Sequence, residues 1–168
     1  MDSFKEQIVR KIPTKNDKIQ KIFIMIASVA LAALCFIFAF GTQFSVIGIF
    51  LAAAALYGGY YLTTKLDVEY EYIFTNGEID VDKITAQRSR KRLITFRCGS
   101  ATDFGIADEN FSVPEGATQV LACACDDSLT DYCITFNHKN LGLTTVIFTP
   151  DDDMLELMKP ALPRTLRK

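Results

Sequence analysis

Two uncharged apolar runs, three residues apart, constrain this chain more than any other feature of it. Ile22 to Phe40 reads IFIMIASVALAALCFIFAF and Phe44 to Leu62 reads FSVIGIFLAAAALYGGYYL, with Gly41, Thr42 and Gln43 between them. As a helix, each run of 19 residues would be about 28 Å long, close to the thickness of a bilayer core. A buried core helix would need a protein large enough to surround both runs, and the remaining chain is too short for that. A signal peptide would have a shorter apolar region and no second span directly behind it. The runs predict a transmembrane hairpin: residues 22–40, a short external loop 41–43, and residues 44–62.

The flanks orient it. Lys15, Lys18 and Lys21 precede the first run, Lys65 follows the second, and the connecting loop is uncharged. The positive-inside rule then puts both termini in the cytoplasm, in a multi-pass protein of the cell membrane. Tyr57, Tyr60 and Tyr61 fall where amphipathic rings favour the headgroup layer. Small residues recur at four-residue spacing: Ser28 with Ala32, Gly48 with Ala52, Ala54 with Gly58, Ala55 with Gly59. Such faces let backbones approach closely in lipid. They serve either the packing of the hairpin on itself or a homo-oligomer built through it.

Charge divides the rest of the chain. Residues 1–21 hold six Lys/Arg against three acids, and the chain from Thr63 onward holds twelve against seventeen. A basic tail on a mildly acidic domain argues against a general nucleic-acid binder, which needs a net basic surface to neutralise phosphates. Phe4, Ile8, Val9 and Ile12 share one helical face among Lys5, Arg10 and Lys11, until Pro13 ends the pattern. The stretch 1–21 therefore reads as a basic cytoplasmic tail, either an amphipathic helix on the inner leaflet or a tail without fixed structure.

Residues 67–160 read as a mainly-β domain. Asp67 to Thr75 alternates strictly, Asn76-Gly77 supplies a type I′ hairpin turn, and Glu78 to Ile84 alternates again. Further strands are expected at Arg92 to Cys98, Asp103 to Ala107, Gln119 to Cys125, Tyr132 to Asn137 and Leu143 to Thr149, with a loop over Asn110 to Thr118. A closing helix is expected with Thr149 as N-cap, Pro150 in the first position, and Asp151 and Asp152 against the positive end of its dipole. Met154, Leu155, Leu157 and Met158 give its apolar stripe until Pro160, and 161–168 is a tail.

Seven short strands with one C-terminal helix resemble the pleckstrin-homology (PH) superfold. The segment YIFTNGEIDVDKITAQRSRKRLITF (Tyr72–Phe96) looks like the opening hairpin of bacterial PH-like domains on membrane anchors, through Tyr72, Thr75, Ile79, Val81 and the Arg88–Arg92 cluster. With its MDSFKEQIV start and two-span hairpin, the chain is similar to a family of small Gram-positive, Clostridia-type membrane proteins. The resemblance implies two near-orthogonal sheets closed by the last helix, and it transfers no catalytic residue. The Cys123-x-Cys125 strand departs from the PH-like pattern.

Several residues could carry chemistry. Arg88, Arg90, Lys91 and Arg92 form the densest cationic patch, which reads either as a contact for anionic lipid or an acidic partner, or as a solvated turn. Five cysteines are too few and too irregular for a disulfide framework, and a cytoplasmic domain favours reduced thiols. Residues two apart in a strand share a face, so Cys123 and Cys125, with Cys133, Cys98 and His138, raise the question of zinc. The spacing is not that of a structural zinc site, and buried cysteine behaves as a small hydrophobe. The Asp151–Asp153 run fans out around a helix and reads as a cap. No catalytic constellation, phosphate loop or dinucleotide fingerprint is present. The sequence points to a non-enzymatic interaction module without a cofactor, with an anionic-lipid or small-ligand sensor as the alternative and a metal- or thiol-dependent role third. Its expected partners are membrane lipids and a protein partner or second copy.

Overall fold

The computed structural model describes residues 3–108 and 111–167. Pro13–Asp67 form one compact unit, and the chain on either side of it, up to Ile12 and from Val68, forms another.

The Pro13–Asp67 unit is a helical pair, α1 (Lys15–Ala39) and α2 (Ser45–Thr64). Helix α1 starts seven residues ahead of its apolar run because Thr14 and Asp17 build a capping box. The Thr14 hydroxyl accepts from the Asp17 amide (3.3 Å), and the Asp17 carboxylate accepts from the Thr14 amide (3.0 Å). Only 11% of the most apolar stretch of either helix is buried, so neither is a core helix of the described structure. Both are long and apolar enough to cross a membrane. Two glycines bring the helices together. A Cβ on Gly48 would stand 1.9 Å from Ala39 Cβ, and one on Gly59 would stand 2.4 Å from both Ser28 Cβ and Oγ. Gly58 meets nothing within 4 Å. The Lys21 ammonium pairs with Asp67 at 2.6 Å.

The other unit holds two four-stranded sheets. One is ordered β1 (Phe4–Arg10), β2 (Val68–Thr75), β3 (Glu78–Thr85), β4 (Ser89–Arg97), and is antiparallel throughout. The second contains β5 (Ala101–Ile106), β6 (Thr118–Ala122), β7 (Tyr132–His138) and β8 (Gly142–Phe148), in the order β5-β7-β8-β6 with β6 parallel to β8. A single turn of tight helix, Cys98–Ser100, leads from the first sheet to the second. The facing sides meet through aromatic pairs: Tyr72 edge-on to Phe148 at 5.6 Å, and Phe96 stacked on Phe136 at 4.7 Å. Ile79, Val81, Ile94, Ile134 and Val146 fill the space between. Helix α3 (Asp152–Met158) closes the core with Met154 and Met158.

Three expectations are corrected. The stretch expected as a helical or unstructured basic tail contains strand β1, paired along its length with β2 from Phe4↔Thr75 to Arg10↔Glu69. Its inward positions are Lys5, Gln7 and Val9. Gln7 donates to the Thr149 carbonyl (3.0 Å) and accepts from the Asp151 amide (2.9 Å), and Lys5 pairs with Asp153 at 2.7 Å. Polar side chains clamp this strand to the start of α3, so hydrophobic alternation does not mark it. The strand count is consequently eight rather than seven. The third correction is the cap of α3: Asp151, not Thr149, accepts from the Met154 amide at 2.7 Å. The Thr149 hydroxyl is engaged elsewhere, accepting from the Ala124 amide (2.8 Å) and donating to Asp131 (2.5 Å).

The Asn76-Gly77 turn forms as expected, with φ of 49° and 86°. A second turn of that kind joins β3 to β4 through Ala86 and Gln87, both at φ 54°. Neither residue type advertises a left-handed turn. The expected 110–118 loop begins at Asn110, outside the described residues, and the chain from Phe111 to Ala117 is irregular. Beyond α3, Arg167 folds back to donate to the carbonyls of Leu162 and Pro160.

Candidate functional site

The four cations of the Arg88–Arg92 cluster are not equivalent. They sit on the β3–β4 turn and the first half of β4, where the residues alternate faces until a bulge at Val81/Asp82 resets the register. Arg90 and Arg92 point to the side carrying Glu71 and Asp82. Arg90 Nη2 meets Glu71 Oε1 at 2.8 Å; Arg92 meets Asp80 at 2.7 Å and grips Asp82 with Nε and Nη2. Thr95 donates to Asp80 from the neighbouring position at 2.6 Å. Two of the four predicted cations are thus neutralised by acids from β2 and β3.

Lys91 lies directly across from Lys83 in the β3–β4 register. Like charges so placed repel. Neither their ammonium groups nor the Arg88 guanidinium has an ion-pair partner among the described residues. Arg88 lines a shallow recess with Glu69, Ile84, Gln87 and Arg90. In this hairpin, the cations without an ion-pair partner among the described residues are therefore Lys83, Arg88 and Lys91. Sequence reasoning missed Lys83 because it lies in an alternating strand, eight residues from Lys91, and only hairpin register brings the two together.

Glu71 is the unusual member of this face. It is fully shielded from solvent, and its second oxygen, Oε2, has no hydrogen-bond partner. Burial, followed by the Glu6 carboxyl beside it, holds its pKa above the ordinary carboxylate value against the pull of Arg90.

Apart from Cys35 on α1, the thiols separate into two groups. Cys98 and Cys133 are buried singly, Cys98 at the turn between the sheets and Cys133 against the Gly105 carbonyl. Burial pushes the Cys98 thiol up to about 12 and raises Cys133 as well. Cys123 and Cys125 face each other with sulfurs 3.7 Å apart, Cys123 buried and Cys125 exposed. Among the described residues, no group of three or more His, Cys, Asp and Glu side chains is placed to hold a metal ion. His138 is apart from all of these, its Nδ1 accepting from the Asn140 amide at 3.3 Å.

Tyr72, one of the residues carrying the resemblance to PH-like domains, links the sheets from within. Its hydroxyl donates to the Ala122 carbonyl and accepts from the Thr149 amide (3.2 Å). A family model described as Bacterial PH-like domain (DUF6106) matches residues 1–168. The chain belongs to that family. No curated protein and no solved structure matches it. The match runs through both apolar helices as well as the sheets, so in this bacterial PH-like chain the hairpin belongs to the family pattern.

Proposed function

We propose that this protein is a non-enzymatic interaction module, a PH-like domain held at the inner face of the cell membrane by a two-span hairpin. The observation that carries the reading is where the hairpin enters the domain. It interrupts the domain between β1 and β2, which are hydrogen-bonded neighbours in one sheet. Three residues, 65–67, separate α2 from β2, and four, 11–14, separate β1 from α1. Strands that pair must lie on one side of a bilayer, so the chain between them crosses an even number of times. Two apolar helices satisfy that condition, and the lysines flanking them favour the cytoplasmic side. Membership of a PH-like family supports the binding part of this reading.

A second reading, contact with an anionic surface, is favoured by the unpaired Lys83, Arg88 and Lys91. Each basic group near a charged leaflet contributes about 1 kcal/mol. In flotation with vesicles rich in anionic lipid, a chain carrying K83Q, R88Q and K91Q should lose salt-sensitive affinity by roughly two orders of magnitude. Arg90→Gln and Arg92→Gln should act through stability instead. Cross-linking in native membranes, run on both variant sets, separates the readings. A protein partner retained by wild type with unchanged lipid affinity in the triple variant supports the module alone. Neither partner nor lipid binding in any sample overturns both.

A further inference from the structure

The Cys123–Cys125 pair is used by nothing described so far, and its geometry is unusual. In a continuing strand, residues two apart are separated by about 6.6 Å along the chain, at the long end of what a disulfide spans. Here β6 ends at Ala122, and Cys125 turns into the left-handed region at φ 56°. The turn carries its side chain back over Cys123 and brings the sulfurs to 3.7 Å. Hydrogen bonds hold the backbone at and just before this segment. Ala122 accepts from the Tyr72 hydroxyl, Ala124 donates to Thr149 Oγ1 at 2.8 Å, and the Ala124 carbonyl accepts from the Ile12 amide at 2.7 Å. A left-handed non-glycine residue costs about 1–2 kcal/mol, and this network holds it in place. Cys125 is an exposed residue and Cys123 a buried one.

We propose that Cys123 and Cys125 are a dithiol modification site that closes to an intramolecular disulfide by exchange with a small-molecule disulfide. The exposed Cys125 thiolate attacks one sulfur of the reagent RSSR and expels RS⁻, leaving a mixed disulfide. Cys123, deprotonated, attacks Cys125 Sγ, forms the internal bond and expels the second RS⁻. The two protons given up by the cysteines end on the two RSH released, so the protein is oxidised by two electrons and the reagent reduced by two. Closure draws the sulfurs to about 2.05 Å around the pinned Ala124 peptide. Its carbonyl holds Ile12, the residue from which the chain runs on into Pro13, so the oxidised state loosens that amide. Burial and the nearby Asp131 push the Cys123 thiol up to about 12. Closure should therefore quicken about tenfold per pH unit on the alkaline side of neutrality, following the Cys123 thiolate fraction.

The test uses the full chain in detergent, treated with oxidised glutathione and read by intact mass and fragmentation. The expected product has lost two hydrogens, carries no glutathione, and is bonded between Cys123 and Cys125. Cys123→Ser should arrest at a persistent glutathione adduct on Cys125, and Cys125→Ser should not react at this pair. Hydrogen exchange at the Ile12 amide should be faster in the oxidised form. A lasting glutathione adduct on wild-type Cys125, a bond to any other cysteine, or no reaction would overturn the proposal. The wild-type measurement decides even where a variant fails to fold.

Discussion

At the residue scale, the most informative side chain is Glu71. A carboxyl fully shielded from water, with one oxygen unpartnered and Glu6 beside it, prefers its proton more than a free carboxyl does. A raised native pKa has a definite sign in linkage. The stabilising contribution is complete below the ordinary carboxylate pKa and is lost as pH rises through the higher native value. Denaturation midpoints of the wild type should accordingly fall as pH rises through that window, and Glu71→Gln should lack this component. Parallel pH profiles for the two proteins would remove Glu71 from the account. The cation cluster teaches a related lesson. Composition marked four cations, but Arg90 and Arg92 are held by Glu71, Asp80 and Asp82. Their partners lie 10 to 19 residues away, and a bulge decides which face each occupies, so no local pattern could sort them.

At the element scale, β1 and the hairpin show what a domain needs from distant parts of its own chain. A fragment starting at residue 67 lacks β1. It leaves the edge of β2 bare and strips Thr149 and Asp151 of their Gln7 partner. It should aggregate or remain unfolded, as exposed strand edges do. A chain in which a short glycine-containing turn replaces residues 13–67, joining Ile12 to Val68, keeps the strand and should fold as a soluble monomer. Comparing the two by circular dichroism and gel filtration checks this, and a folded monomeric fragment would show β1 to be dispensable. Within the hairpin, Gly48→Ala and Gly59→Ala force a methyl into a facing helix and should lower thermal stability in detergent by several degrees. Gly58→Ala, facing open space, should be neutral. This contrast divides the small residues that spacing alone had grouped: the Gly48 and Gly59 positions pack the pair, and Gly58 does not.

At the scale of the whole molecule, the insertion of the hairpin between paired strands is the organising feature. It ties the N-terminal strand to the domain beyond the second helix, so both flanks share one compartment. Cys125 offers a direct readout because it is exposed in the domain. A membrane-impermeant maleimide should label it in inverted membrane vesicles and not in intact cells. Labelling from outside would reverse the orientation, and equal labelling from both sides would mean that the hairpin does not hold the protein in one topology.

Two 19-residue runs without charge, the alternation of Val68 to Phe74 and the left-handed turn at Asn76-Gly77 were legible from sequence, because each follows from the solvent an element meets or the dihedrals its own residues allow. Strand β1, the cap on α3, the pairing of Arg90 and Arg92, the facing of Lys83 and Lys91, and the sulfur contact at Cys123 and Cys125 were settled by tertiary structure. Most of these depend on a partner supplied from elsewhere: from β2 for Phe4 to Arg10, from β2 and β3 for the two arginines, from Tyr72, Thr149 and Ile12 for the bend that joins the thiols. Local periodicity records which face a segment buries; it carries no mark of the polar group, over a hundred residues away in the case of Gln7 and Thr149, that will hold it there.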